Sequence, residues 1–360
     1  MNVDMNALNM IRELSDAPGA SGFEEEVIRV ARRYAQAIGE MEEDFLHNLY
    51  IRRKENTGNR PVIMLDAHAD EVGLIIQAIK PNGTLRFLQL GRWSRGALVS
   101  TKVFVRNAKG EYIPGIIVAK PVHFMTAAEK TAGEPDESAL AIDIGAISYE
   151  DAVENFHIRI GEPAVPATKF EYDEKHDLIF GKAFDCRIGC AAMLEALRRL
   201  EGKALACDVV AVLSTQEEVG RRSCPVAANR VKPDIAIVME GCPADDTFCE
   251  PYMIQTALKK GPMFRHMDVS VICAPRYQRW ALDLAKEKGI PVQEAVRSGG
   301  GNNAASIQTT LAGAPAIVCG VPVRYAHSAN CITSYFDFEA SVQMVMALVE
   351  SITPEVIASL

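Results

Sequence analysis

Four stretches of this chain are apolar almost from end to end: "PVIML" at 61–65, "DVVAVLST" at 208–215, "DIAIVME" at 234–240 and "APAIVCG" at 314–320. A strand with one face in water alternates apolar and polar residues, whereas these runs leave no polar face. They predict strands covered on both sides, as in a sheet of parallel neighbours joined by helices. Helical patterns stand between them. "CRIGCAAMLEALRRL" sets Cys190, Met193, Leu194, Leu197 and Leu200 at helical spacing, "RYQRWALDLAKEKG" stops at Gly289, and "DFEASVQMVMALVESI" supplies another helix. Ser21 followed by Glu24 has the form of a capping box, ahead of a helical pattern at Val27, Ile28, Ala31, Tyr34, Ala35 and Ile38. The expected class is α/β, with a central, mostly parallel sheet and helices on both faces.

The texture changes between about residues 74 and 166. "GLIIQAIKPNGTLRFLQL" reads as a hairpin around Asn-Gly, and "TKVFVRNAKGEYIPGIIVAK" as a second one turning at Lys109-Gly110. "AIDIGA" and "HIRIGEPAVPA" add short β pieces, and no long helix interrupts them. The expectation is one α/β domain built from 1–73 and 167–360, interrupted by a small all-β module at 74–166.

Bulk composition removes several function classes. With 38 basic against 47 acidic residues the net charge is −9, and no Arg-rich run offsets it, so a nucleic-acid partner is not expected. "MNVDMNALNMIRELSDAPG" has neither the leader nor the anchor pattern, and no segment reaches the ~20 apolar residues of a membrane span. Nine scattered cysteines, several in apolar runs (Cys207, Cys273, Cys319), suit free thiols in a reducing cytoplasm. Cys186 and Cys190 have a metal-like spacing, but without a second pair they read as packing.

The polar residues fall in a pattern on that map. In "LDAHADEVG", His68 and Asp70 follow the strand at 62–66; Glu217 and Glu218 in "STQEEVG" follow the one at 208–214. Glu240 ends the strand at 235–239, His327 in "RYAHSAN" lies beyond 315–319, and Asp185 stands at the mouth of a helix beginning near 187. Ligands of open α/β sheets bind beyond the carboxyl ends of strands. Taken singly, His-x-Asp is commonly a turn, Glu-Glu a solvated loop, and His327 beside Tyr325 and Ser328 a hydrogen-bonded polar histidine. Together at successive strand ends they form an imidazole and carboxylate set suited to two divalent ions, zinc or cobalt first and manganese also admissible. Adjacent acids diverge, so one of Glu217 and Glu218 can ligate while the other handles a proton. Asp70 is placed to accept the second ring N–H of His68.

"DAHADEVG", "KAFDCRIGC", "TQEEVG" and "VRYAHS" resemble, in order and over most of the chain, the blocks of the tetrahedral, glutamyl (deblocking) metallo-aminopeptidases. Some members of that family carry a cellulase or endoglucanase label. The resemblance implies two metal ions, with Asp185 as bridging carboxylate, His68 and Glu240 on one ion, and Glu218 and His327 on the other. It also implies Glu217 as general base, Asp70 as partner of His68, and short peptides as substrates. By the same resemblance 1–73 and 167–360 form the catalytic domain, the insertion at 74–166 is β-barrel-like and used in assembly, and the protein is a homo-oligomer such as a tetrahedral dodecamer. The chain departs from the family at Glu240, where Asp is usual, and in "SGGGNNA", where Gly301 and Asn302 replace Thr and an acid; "GRRS" replaces the usual Gly-Leu-Arg-Gly. Two other readings stay open beside the aminopeptidase: a related binuclear amidohydrolase or deacetylase, and a degenerate non-catalytic assembly subunit. A glycosidase would need two carboxylates flanking a sugar bond and no metal.

Overall fold

The computed structural model describes residues 3–93, 95–131, 133 and 136–360. Its strands, in chain order, are β1 (Gly39–Glu43), β2 (Leu49–Arg53), β3 (Val62–His68), β4 (Gly73–Ile79), β5 (Leu85–Leu90), β6 (Lys102–Arg106), β7 (Tyr112–Val118), β8 (Ala141–Asp143) and β9 (Pro163–Pro166). They continue as β10 (Glu171–Asp173), β11 (Leu178–Gly181), β12 (Asp208–Ser214), β13 (Ile235–Pro243), β14 (Met263–Met267), β15 (Gln293–Val296), β16 (Ala316–Val323) and β17 (Cys331–Thr333).

The central sheet runs β1-β2-β12-β3-β13-β16-β14-β15. The predicted strands β12, β3, β13 and β16 lie side by side and parallel at its centre, while β2 and β14 flank them antiparallel. Every residue of β12 and of β16 is buried, as the unbroken apolar runs require. Successive side chains leave opposite faces of a strand. Ile63, Leu65 and Ala67 pack with the helices Met5–Asp16, Glu25–Ala35, Phe184–Arg199, Pro275–Lys288 and Tyr335–Ser351. Met64, Val210, Ala236 and Val318 pack on the other face with Cys224–Val231 and Ala304–Thr309.

The pleat has a direct consequence for the polar residues. Asp66 and His68 share the phase of Met64, and Glu240 shares that of Ala236 and Val238. Ser214 pairs with His68 across the sheet and Val238 with Asp66, which brings Glu240 level with His68. Below them a buried polar step forms: Asn303 donates to Asp66 Oδ2 at 2.7 Å and to Ser214 Oγ at 2.8 Å.

Between β3 and β10 the chain builds a closed antiparallel barrel in the order β4-β5-β8-β7-β6-β9. Gly83 and Gly110, at φ 83 and 79, turn its two hairpins where the Asn-Gly and Lys-Gly signals stood. Leu74, Ile76, Phe87, Val103, Val105 and Ile142 fill an interior separate from the two cores of the central sheet.

The capping box does not form. The helix begins at Glu25, and neither its first turn nor Glu24 is capped by a side chain. Ser21 instead donates its hydroxyl to Asp70 Oδ2 at 2.6 Å, and Glu24 accepts from the amides of Gly22 and Gln216. Both side chains are recruited by the loops at the sheet edge, a tertiary demand that overrides the local signature.

Candidate metal centre

His68 is the last residue of β3 and its ring is buried. Nδ1 lies 3.1 Å from the Asp70 carbonyl oxygen and 3.3 Å from Asp70 Oδ1, leaving Nε2 to face the open strand ends. There Nε2 is 3.2 Å from Asp185 Oδ1 and 3.8 Å from Glu240 Oε2. His327 repeats the arrangement from the other side. Its Nδ1 donates to the Arg92 carbonyl at 2.8 Å, and its Nε2 is 3.3 Å from both Asp185 Oδ2 and Glu218 Oε2. The two oxygens of Asp185 thus serve two different histidines, each backed by a further acid.

Local backbone explains how Asp185 reaches this position. It sits at the mouth of the helix Phe184–Arg199 with non-helical φ and ψ (−84 and 102), joined to Cys186 by a cis peptide bond. Gly241 makes the approach possible, since a Cβ there would stand 2.1 Å from the Phe184 carbonyl oxygen. Glu240 lies inside β13, which runs on to Pro243, rather than ending the strand as the sequence reading had it.

Asp70 organises the acidic turn after β12. Fully buried, it accepts the amide of Glu217 on Oδ1 at 3.0 Å and that of Glu218 on Oδ2 at 3.1 Å, besides the Ser21 hydroxyl. These bonds fix two adjacent backbone units and send the two side chains different ways. Burial raises the Asp70 pKa, but hydrogen bonds from His68, Ser21 and the Glu217 amide outweigh it and hold the group ionised.

The electrostatics call for cations. Four carboxylates (Asp185, Glu217, Glu218, Glu240) meet two imidazoles in one cavity of about 790 Å³. Burial drives Glu218 and Glu240 far above the ordinary carboxylate range, and drives Glu217 to about 7 with Asp70 and Asp185 adding to the effect. Burial works against a charge on His327, yet Asp185 and Glu218 push it up to about 10. Glu218 Oε1 is buried with no hydrogen-bond partner, and among the described residues the carboxylate of Glu240 makes no hydrogen bond, its Oε2 lying 3.8 Å from His68 Nε2. Such acids are stable only when something positive completes them. Oxygen and imidazole donors of this kind fit divalent ions of the zinc, cobalt or manganese type.

All seven residues singled out in the sequence converge: six line the cavity, and Asp70 stands behind it. Ligand atoms of His68, Asp185 and Glu218 lie within 4.8 Å of one another. Those of His68, Cys186 and Glu240 do as well, so Cys186 stands nearer the centre than a packing role alone suggests; its Sγ donates to the Met239 carbonyl at 2.9 Å. Sequence reasoning missed Ser21, Glu24 and the Arg92 carbonyl. A backbone acceptor carries no residue signature, and Ser21 and Glu24 matched a different local motif.

Comparison with known proteins bears on this geometry. The family model described as M42 glutamyl aminopeptidase matches residues 48–344. The chain is 31% identical over 354 residues to the lysyl aminopeptidase of Pyrococcus furiosus, covering 96% of this chain and 97% of that protein. It superposes on the TET aminopeptidase of the marine sediment archaeon Thaumarchaeota archaeon SCGC AB-539-E09 with a TM-score of 0.94 at 33% identity, over 98% of this chain and 99% of that one. A third likeness is the Pyrococcus horikoshii TET1 peptidase, described as able to assemble into a tetrahedron or a large octahedral shell. There the TM-score is 0.86 at 28% identity, over 96% of this chain and all (100%) of the other. With its fold, its histidine and carboxylate cluster and these similarities in agreement, the chain belongs to the M42 family of metal-dependent aminopeptidases.

Proposed function

We propose that the chain removes N-terminal residues from short peptides, using two divalent ions held by His68 and Glu240 on one side and by His327 and Glu218 on the other, with Asp185 shared. The observation that carries this reading is the division of Asp185: Oδ1 faces His68 at 3.2 Å and Oδ2 faces His327 at 3.3 Å. Bound ions of this type polarise a carbonyl and make a water acidic. The protein's own share of the chemistry falls to Glu217, whose carboxylate opens on the cavity and is tied to neither histidine. It takes a proton from the attacking water and returns it to the leaving amine. Asp70 keeps the Nδ1 proton of His68 in place so that Nε2 stays a donor of electrons.

The turn of Glu240 toward His68 argues against a degenerate, non-catalytic subunit, because the longer side chain still reaches the shared edge. We also assign the chain to closed homo-oligomeric shells, in which the barrel at 74–166 supplies contacts and tetrahedral dodecamers are the leading form; a closed assembly needs self-complementary patches. All nine cysteines are free, which suits a reducing cytoplasm. Among the described residues no helix is long and apolar enough to cross a membrane.

One experiment on purified protein tests the core of this reading. Chelation abolishes hydrolysis of aminoacyl substrates with a free amine, and zinc, cobalt or manganese restores it, with two ions per chain by metal analysis. Full activity in verified metal-free protein refutes it, and hydrolysis confined to N-acylated substrates replaces it with the amidohydrolase. Light scattering on the same sample gives a large assembly; a monomer at micromolar concentration rejects the shell.

A further inference from the structure

The cavity beside the acids has a strongly cationic wall. Arg92, Arg221, Arg265 and Arg297 line it, and among the described residues no lysine does and the only carboxylates are the four already named. Two of the four guanidinium groups are answered: Arg297 pairs with Asp245, and Arg265 Nη1 with Asp268 Oδ2 at 3.0 Å. Arg221 has no ion pair among the described residues, and the buried Nε of Arg265 has no hydrogen-bond partner.

The glycine run at 299–301 decides where these groups point. A Cβ at Gly301 would stand 2.9 Å from Arg221 Nη1 and 3.1 Å from Ser270 Oγ, so a side chain there would occupy the space of the guanidinium head. A Cβ at Gly300 would lie 4.0 Å from Arg265 Nη1. Two guanidinium heads therefore converge on one bare stretch of backbone. Arg221 also sits on the acidic turn, its amide donating to the Glu217 carbonyl at 2.7 Å, so its main chain is tied directly to that of the acid assigned as base.

Resting on the aminopeptidase reading, we propose that Arg221, with Arg265 beside it across the glycine run, forms a subsite for a substrate carboxylate. A planar guanidinium matches a carboxylate in paired, charge-assisted hydrogen bonds. A neutral group would leave Arg221 partly desolvated and unanswered, and a cation would be repelled. The carboxylate has two sources within a short peptide: the side chain of an N-terminal Glu or Asp, or the C-terminal carboxylate of a dipeptide or tripeptide.

The test compares the metal-loaded wild type with Arg221→Met and Arg221→Lys on four dipeptides: Glu-Gly amide, Leu-Gly amide, Leu-Gly and Lys-Gly amide. The readout is the ratio of kcat/KM between members of a pair. If the side chain is the source, Glu-Gly amide exceeds Leu-Gly amide by roughly 10- to 100-fold, the range of a hydrogen bond to a charged group. If the C-terminus is the source, Leu-Gly exceeds Leu-Gly amide by a similar factor. In either case Arg221→Met collapses the ratio through KM, Arg221→Lys restores part of it, and Lys-Gly amide is the poorest substrate. Ratios near one in the wild type, or a ratio untouched by Arg221→Met, overturn the subsite while leaving the aminopeptidase standing. If no dipeptide is hydrolysed the aminopeptidase reading fails, and calorimetric binding of the same intact dipeptides then judges the subsite. Carboxylate-dependent affinity lost in Arg221→Met supports it, and charge-blind binding overturns it.

Discussion

Asp70→Asn is the most informative single change, because one buried carboxylate serves both halves of the proposed metal centre. Oδ1 takes the Glu217 amide at 3.0 Å and faces His68 Nδ1 at 3.3 Å, while Oδ2 takes the Ser21 hydroxyl at 2.6 Å and the Glu218 amide at 3.1 Å. Asparagine has the same shape but only one accepting oxygen. Whichever way its amide is turned, an NH2 group meets a backbone N–H, and one buried donor goes unanswered. That costs about 1–3 kcal/mol, and losing the charge opposite His68 adds to it. We expect metal-free Asp70→Asn to be about 2–4 kcal/mol less stable in denaturant unfolding. Because the residue orients a ligand, affinity for metal should fall roughly 10- to 100-fold. The loss should appear at both ions, since Asp70 fixes the ring of His68 and also the backbone that carries Glu218. Chelator competition followed by calorimetry measures it, with Ser21→Ala as the milder control. A variant with unchanged unfolding midpoint and unchanged affinity at both ions would refute the reasoning.

Glu217→Gln should keep both ions and lose roughly 10²- to 10⁴-fold in kcat, whereas Glu218→Gln should lose an ion; the reverse pattern in metal analysis exchanges their roles. His68 Nε2 stands 3.8 Å from Glu240, against 3.3 Å between His327 and Glu218, so the ion on the His68 side should be the more weakly held. Equal, full occupancy of both positions in protein purified without added metal contradicts that. Glu24 is an acid whose pKa is raised to about 8, first by burial and then by the charge of Asp70. A raised carboxyl pKa contributes stability that is present below the unfolded value near 4.5 and is lost as pH climbs through 8. Metal-free Glu24→Gln should therefore gain on the wild type between about pH 5 and 8, by a few kcal/mol at the top of that window; a constant difference in unfolding midpoint across the window defeats the argument.

The parts of the fold that could be read from sequence are those where one physical demand acts alone. Strands β3, β12, β13 and β16 are buried on both faces, and apart from Asp66, His68, Asp208, Ser214 and Glu240 they hold only apolar residues, glycine and proline. The edges are different. β1 reads "GEMEE" and β10 reads "EYD", half exposed and charged, because an edge strand needs only backbone partners. Neither could be told from a loop. The candidate site was legible because its histidines and acids hang mostly near strand ends that the apolar runs already located. The arginine wall was not, since Arg92, Arg221 and Arg297 come from three separate loops and meet Arg265 of β14 only through the tertiary fold. Ser21 and Glu24 mark the same limit: a local motif was present, and a distant carboxylate took precedence.

The hydrogen bond from His327 Nδ1 to the Arg92 carbonyl joins the catalytic sheet to the inserted barrel. Arg92 lies just past β5, so the inserted segment supplies the acceptor that sets the tautomer of an imidazole we assign to a metal. The insertion is therefore not a detachable ornament on the catalytic domain. A chain rejoined from Val72 to Ala167 would keep every metal-facing side chain yet leave His327 free to turn. Mechanical stress on the barrel has an unequal address as well. A shift of its first hairpin reaches His327 through one backbone bond, while His68 takes its orientation from Asp70 and is insulated from the same movement.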